Sequence, residues 1–246
     1  MSWLGGLLGG TLGFALGGPL GAILGAIAGQ SISVRAPRTL DATSKQTIFF
    51  TSLFAMLGSL AKADGRVSKA EIRFVEQLMR EQLGLAQEAR TLAISIFNEA
   101  KKRPATFEAY ARQFGEVFSQ EPEQREMLLR LLVQAAMADG EMHEHEERLL
   151  KRAAEIFNLT PLLYQLLDRI SDGSDASSLD QCYVILESEP EDELSVIKKR
   201  YRRLAMKYHP DRIQSQGLPP ELLSAAEEKF KEIQDAFDRI ERARGD

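Results

Sequence analysis

The sequence predicts an all-α chain in three parts: an N-terminal membrane helix, a central helical bundle with an internal duplication, and a C-terminal antiparallel helical hairpin. Three observations carry that expectation. Apolar residues from about residue 46 onward recur at three- and four-residue spacings, and no stretch alternates convincingly as a strand would. Residues 1–34 contain no charged side chain and place a glycine at every fourth position from Gly5 to Gly29. An eleven-residue pattern around Asp-Gly appears at Ala61–Glu71 and again 75 residues later, at Ala136–Glu146. The expected parts are 1–34, 46–170 and 179–246, with a Ser/Asp/Gly linker over 171–178 whose composition suits movement between the last two.

In the first part the glycine row comprises Gly5, Gly9, Gly13, Gly17, Gly21, Gly25 and Gly29. Trp3–Ala28 as one helix would be roughly 39 Å long, enough for a hydrocarbon core of about 30 Å. Glycine costs about 1 kcal/mol against alanine in a helix, so a row of seven needs a packing reason. Repeated Gly-x-x-x-Gly lets helix backbones approach closely in lipid, which predicts self-association into a homodimer. Each four-residue step overshoots a turn by about 40°, so the row wraps the helix and suits a crossing partner. Ala26-Ile27-Ala28 resembles a signal cleavage site, but no cation precedes the apolar run. A re-entrant hairpin bent at Gly17-Gly18-Pro19 is the alternative to a single crossing. Arg35, Arg38 and Lys45 follow the segment with no counterpart before it, which places the rest of the chain in the cytoplasm. The lone Cys182 agrees with a reducing compartment and reads as a small core residue.

The central part predicts about seven helices. In each copy of the repeat an apolar helix precedes Asp-Gly and an amphipathic one follows. Pro122 and Pro161 stand where a first helical residue would be, the latter after Thr160. Counting Gly65 as position six of a calcium loop puts Glu71 at position twelve, but positions one and three are then Leu60 and Lys62, which cannot ligate. Asp-Gly as a turn and Ser68-x-x-Glu71 as a capping box account for the pattern better. His143 and His145 point to different sides of a helix, a poor zinc pair. No metal site is expected; the repeat resembles the TerB family, and that resemblance makes Asp64, Glu71, Asp139 and Glu146 the weak candidates for any cation.

The last part holds the most informative run, Tyr208-His209-Pro210-Asp211-Arg212. Ile197, Tyr201, Leu204 and Tyr208 mark one apolar helix face, while Leu194–Lys207 carries six cations and no anion. Five acidic residues between Glu187 and Glu193 stand at that helix's N-terminus, so both signs suit the helix dipole. Pro210 ends the helix, leaving His209-Pro210-Asp211 as an exposed loop. Phe230, Ile233, Phe237 and Ile240 stripe a second helix that returns antiparallel, and Tyr183, Ile185 and Leu186 close the small core. A basic helix can be simply a solvated face, or can bind nucleic acid. The latter is disfavoured, because residues 178–246 carry 15 Asp/Glu against 12 Lys/Arg and show no stacking aromatics.

In order, Tyr183-x-x-Leu186, Ile197-Lys198-Lys199-x-Tyr201-Arg202-x-Leu204-Ala205, His209-Pro210-Asp211 and Glu228-Lys229-Phe230-Lys231-Glu232-Ile233 resemble a J domain. The resemblance implies a module that docks its basic helix on an Hsp70 (DnaK) chaperone and triggers ATP hydrolysis there. It makes His209, Pro210 and Asp211 the trigger and Lys198, Lys199, Arg202, Arg203 and Lys207 the docking residues. The pattern departs at Glu187-Ser188, where many J domains have Gly-Val, and in a longer loop from Ile213 to Pro220. The repeated Asp-Gly segments resemble the TerB family, and the order of all three parts is similar to DjlA-type membrane-anchored co-chaperones of Gram-negative bacteria. That resemblance implies inner-membrane anchorage by a single pass.

With 36 Asp+Glu against 31 Lys+Arg, the net charge of −5 gives no drive toward nucleic acid. No nucleophile, phosphate loop or metal constellation is visible, so neither an enzyme nor a bound cofactor is expected. The expected function is a co-chaperone acting on a cytosolic Hsp70. The alternative is a membrane-tethered cation or stress sensor acting through the central part.

Overall fold

A computed structural model describes residues 17–28, 42–62, 69–102, 106–140, 142–171, 179–215 and 223–244, and every regular element among them is helical. The first, α1 (Gly18–Ala28), is an uncharged segment of 11 residues. Gly17 and Gly18 both have positive φ, 55° and 62°, which glycine adopts without a Cβ clash where α1 begins. Of the expected helix Trp3–Ala28, residues 3–16 lie outside the described residues, and the described α1 is about 16 Å long. Among the described residues no helix is long and apolar enough to cross a membrane. Instead Leu20, Ile23 and Leu24 are buried against the central bundle. The side chain of Gln113 fixes the start of α1, accepting from the Leu20 amide at 3.0 Å and donating to the Gly17 carbonyl at 3.0 Å.

The bundle is built around α2 (Ala42–Leu60), whose Ile48, Phe49, Phe50, Leu53, Phe54, Met56 and Leu57 are all buried. A helix apolar on every side has to be wrapped by others, and this one is. Its coverers are α1, α4 (Gln87–Lys101), α5 (Phe107–Val117) and α6 (Pro122–Ala136). The closest approach is at Gly58, where a Cβ would stand 2.3 Å from the Phe97 carbonyl oxygen of α4. Phe49, Phe114, Phe118 and Phe157 form an aromatic knot that draws in α7 (Glu144–Phe157), with ring centroids 4.5 to 5.9 Å apart. Between α2 and α4, α3 (Lys69–Gln77) runs into one wide turn over Leu78–Gln82 before Gly84 reverses the chain at positive φ.

The expected duplication corresponds to two helix pairs, α2–α3 and α6–α7. Asp64 lies outside the described residues, as does the side chain of Glu71. In the second copy Gly140 takes φ 93° after α6, and the Glu146 carboxylate accepts the His143 amide at 3.0 Å. That bond is half of a capping box, with His143 where the first copy has Ser68. Pro122 opens α6, and Pro161 lies in the first turn of α8 (Thr160–Ser171).

The C-terminal unit comprises α9 (Leu179–Ile185), α10 (Leu194–Lys207), α11 (Pro210–Ser215) and α12 (Leu223–Arg244). Its core is the expected one: Cys182, Tyr183, Leu186, Ile197, Leu204, Ile233, Phe237 and Ile240 are buried, and Tyr201 stacks on Phe237 at 4.4 Å. Burial pushes the Cys182 thiol up, in keeping with a packing role. One feature differs from the sequence reading. Pro210 does more than end α10, because it is also the first residue of α11, a place its fixed φ suits.

Candidate functional site

The site is the break between α10 and α11. The Tyr208 amide still bonds to the Leu204 carbonyl at 2.9 Å, and Pro210 has no amide to continue the ladder. His209 bridges the two helices. Its carbonyl accepts the Ile213 amide at 3.1 Å, and its Nδ1 accepts the Asp211 amide at 3.3 Å, so the imidazole caps α11. With Nδ1 accepting, Nε2 is the nitrogen left to donate. The Phe230 ring of α12 meets the imidazole edge-to-face at 5.7 Å. His209 is therefore held from two sides, yet half of its side chain remains exposed. The Asp211 carboxylate is 91 % exposed. Together they present one N–H donor and one carboxylate on a rigid corner.

The five docking candidates on α10 are not equivalent. Lys199 and Arg202 project into solvent and form no ion pair among the described residues. Lys198 lies 6.0 Å from the centre of the Phe237 ring and 3.8 Å from Glu241. Arg203 is paired with Glu187. Lys207 folds back over the Tyr208 ring at 4.9 Å and donates to its hydroxyl at 3.3 Å. Arg200, between them, is structural: it donates to the Glu187 carbonyl and pairs with Asp192 at 2.8 Å.

Tyr208 turns its hydroxyl toward the central bundle and donates it to Glu126 of α6. Burial would raise the Glu126 carboxyl, but Arg130, the Tyr208 hydroxyl and Lys229 overcome it and hold it below its ordinary value. Burial and the Glu126 charge push the Tyr208 hydroxyl up, so it stays a donor. Burial and Arg130 lower Lys229, which pairs with Glu232 at 2.7 Å. Gln124, two residues before Glu126, donates to the Ile213 carbonyl at 3.4 Å. Residues 82 and 89 positions apart give no local pattern, so periodicity could not reveal these contacts.

The remaining sequence candidates do not gather. Asp139 is exposed in the turn after α6, and Glu146 is buried at the cap of α7. Among the described residues no three His, Cys, Asp or Glu side chains could hold a metal ion. Of the glycine row, Gly17, Gly21 and Gly25 are described, and Gly21 is buried where α1 meets the bundle. Gly5, Gly9, Gly13 and Gly29 lie outside the described residues.

Two helices packed antiparallel beneath a His-Pro-Asp corner, with cations along one face, define a J-domain co-chaperone. Residues 181–243 match the DnaJ domain model, residues 50–168 that of tellurite resistance protein TerB, and residues 1–32 the co-chaperone DjlA transmembrane domain. Co-chaperone protein DjlA of Haemophilus influenzae is 32 % identical over 237 residues, covering 82 % of each chain. Those of Yersinia pestis and Escherichia coli K12 are 30 % and 29 % identical, covering 83 % and 82 % of this chain and 83 % and 81 % of their own. This chain belongs to the DjlA co-chaperone family. No solved structure matches it.

Proposed function

We propose that this protein recruits a cytosolic Hsp70 (DnaK) to the inner membrane and stimulates its ATP hydrolysis through His209-Pro210-Asp211. The observation that carries the reading is the capped, half-exposed His209 beside the exposed Asp211 carboxylate at the end of a basic helix. Lys199 and Arg202 are the cations best placed to meet an acidic partner surface, since both stand free in solvent. The chain itself supplies recognition, and the hydrolytic chemistry belongs to the partner.

Anchorage is supported by the match of residues 1–32 to a transmembrane domain. In this reading the domains after residue 35 face the cytoplasm, and the uncharged segment meets lipid and pairs with a second copy through its glycine row. With α1 docked on the bundle, the contribution of Gly17, Gly21 and Gly25 to that pairing requires α1 to leave it. The cation-sensor alternative has the weaker support, since the Glu146 carboxylate is engaged at the cap of α7.

The test is single-turnover ATP hydrolysis by a bacterial Hsp70 with the full-length protein in detergent micelles or nanodiscs. Wild type should accelerate hydrolysis, and a folded His209→Gln variant should not. Equal rates with the two proteins would defeat the proposal.

A further inference from the structure

The composition of the linker over 171–178 suits an independently moving J domain, yet α6 holds the trigger end of that domain by two side chains. Glu126 accepts the hydroxyl of Tyr208, the residue before His209. Gln124 donates to the Ile213 carbonyl inside the helix that Pro210 and Asp211 begin. Both central-domain side chains are buried or nearly so: Gln124 is fully covered, and the Glu126 side chain is 12 % exposed. Arg130 steadies Glu126 by donating Nε and Nη2 to one carboxylate oxygen at 3.0 and 2.8 Å. Around them lies a crevice of about 140 Å³ lined from the J domain by Tyr208, Glu228, Lys229 and Glu232.

This contact is specific, polar and small. Its two bonds are made by long side chains, of a kind common in transient interfaces between domains. Beside it Lys207 lies over the Tyr208 ring at 4.9 Å. A partner gripping α10, His209 and Asp211 together would have to accommodate α6 beside α11.

Resting on the function proposed above, we infer that the Glu126–Tyr208 and Gln124–Ile213 contacts form an autoinhibitory clamp, in which the central domain restrains its own J domain and Hsp70 engages the released form. Binding to the released form alone weakens apparent affinity by the fraction released. Removing Glu126 leaves Arg130 and Lys229 facing each other without the anion between them, which favours release. The face of α6 that builds the bundle core, Leu128, Leu129 and Leu132, is untouched by that change.

The experiment uses full-length protein in nanodiscs and compares wild type, Glu126→Ala, Gln124→Ala and His209→Gln. Amide hydrogen exchange over residues 208–215 reports the clamp, and Hsp70 ATP turnover across a concentration series reports its consequence. In both clamp variants the α11 amides should exchange faster, and the half-maximal concentration for stimulation should fall, by roughly tenfold for Glu126→Ala on losing one charge-assisted hydrogen bond. Unchanged exchange, or faster exchange with an unchanged or higher half-maximal concentration, overturns the clamp. If wild type stimulates no more than His209→Gln, the function proposal fails and the regulation with it. The exchange data would then still show whether the contact exists.

Discussion

Glu187 holds a left-handed backbone conformation, φ 53°, while its carboxylate pairs with the Arg203 guanidinium on α10. It stands where many J domains carry glycine, the residue that adopts this conformation without a Cβ clash. The strained backbone costs about 1 kcal/mol, and the exposed ion pair returns less than that. Glu187→Gly should therefore leave stability unchanged or raise it by up to about 1 kcal/mol, read from the urea midpoint. It should also release Arg203 and lower the Hsp70 concentration needed for stimulation. A loss of stability beyond 1 kcal/mol would mean that the ion pair, and not the backbone, dominates this turn.

Gly58 sits where α2 and α4 cross, with its would-be Cβ 2.3 Å from the Phe97 carbonyl oxygen. The obstacle is backbone, which cannot rotate aside, so Gly58→Ala must push the helices apart. Overpacking of this kind costs roughly 1 to 3 kcal/mol, outweighing the better helix propensity of alanine. Thermal unfolding of the central domain should fall by several degrees. A melting temperature at or above that of wild type would show that α4 shifts freely.

The helix stripes were legible because burial follows the helical period: Ile197 and Leu204 of α10, and Tyr208 just past its end, are all buried. His209-Pro210-Asp211 was legible as a corner because proline forbids the next α-helical bond. Whether a new helix begins at once depends on where Ile213 finds a core, and a stop signal does not encode that. The same limit applies to the start of α1. Hydropathy measures apolar content, whereas Gly17 and Gly18 act through positive φ. Contacts across long separations, such as Tyr208 with Glu126 or His209 with Phe230, exist only once the helices are placed.

Arg244, in the last turn of α12, donates Nε to the Tyr183 hydroxyl at 2.7 Å and its two terminal nitrogens to the carbonyls of Asp192 and Pro190. It also lies over the Tyr183 ring at 5.0 Å. One side chain thus ties the end of the hairpin to α9 and to the turn before α10. Arg244→Ala should destabilise the J domain by roughly 2 to 3 kcal/mol, since three acceptors lose a charged donor. Arg244→Lys should recover little, because a single ammonium cannot span the same fork. Chemical denaturation of the two variants checks this, and a rescue by lysine would reduce Arg244 to a surface charge.

The shifts of Glu126 and Lys229 both make stability rise with pH, in two separate windows. Glu126 has a folded pKa below its ordinary 4.5, so the folded state binds its proton less readily than the unfolded chain does. Its stabilisation is complete above that ordinary value and is lost as pH falls through the depressed one. Lys229 also has a folded pKa below its ordinary 10.5, through burial and Arg130. For a lysine this means the unfolded chain binds more protons in the window between the two values, so stability rises with pH there. Urea midpoints measured from pH 3 to pH 10.5 should show both limbs. Glu126→Gln should flatten the acid limb alone, and Lys229→Met the alkaline one alone. The acid limb should coincide with faster exchange of the α11 amides, because the carboxylate that is being protonated is the one holding Tyr208. An acid limb that persists in Glu126→Gln would assign it to other carboxylates and separate it from the junction.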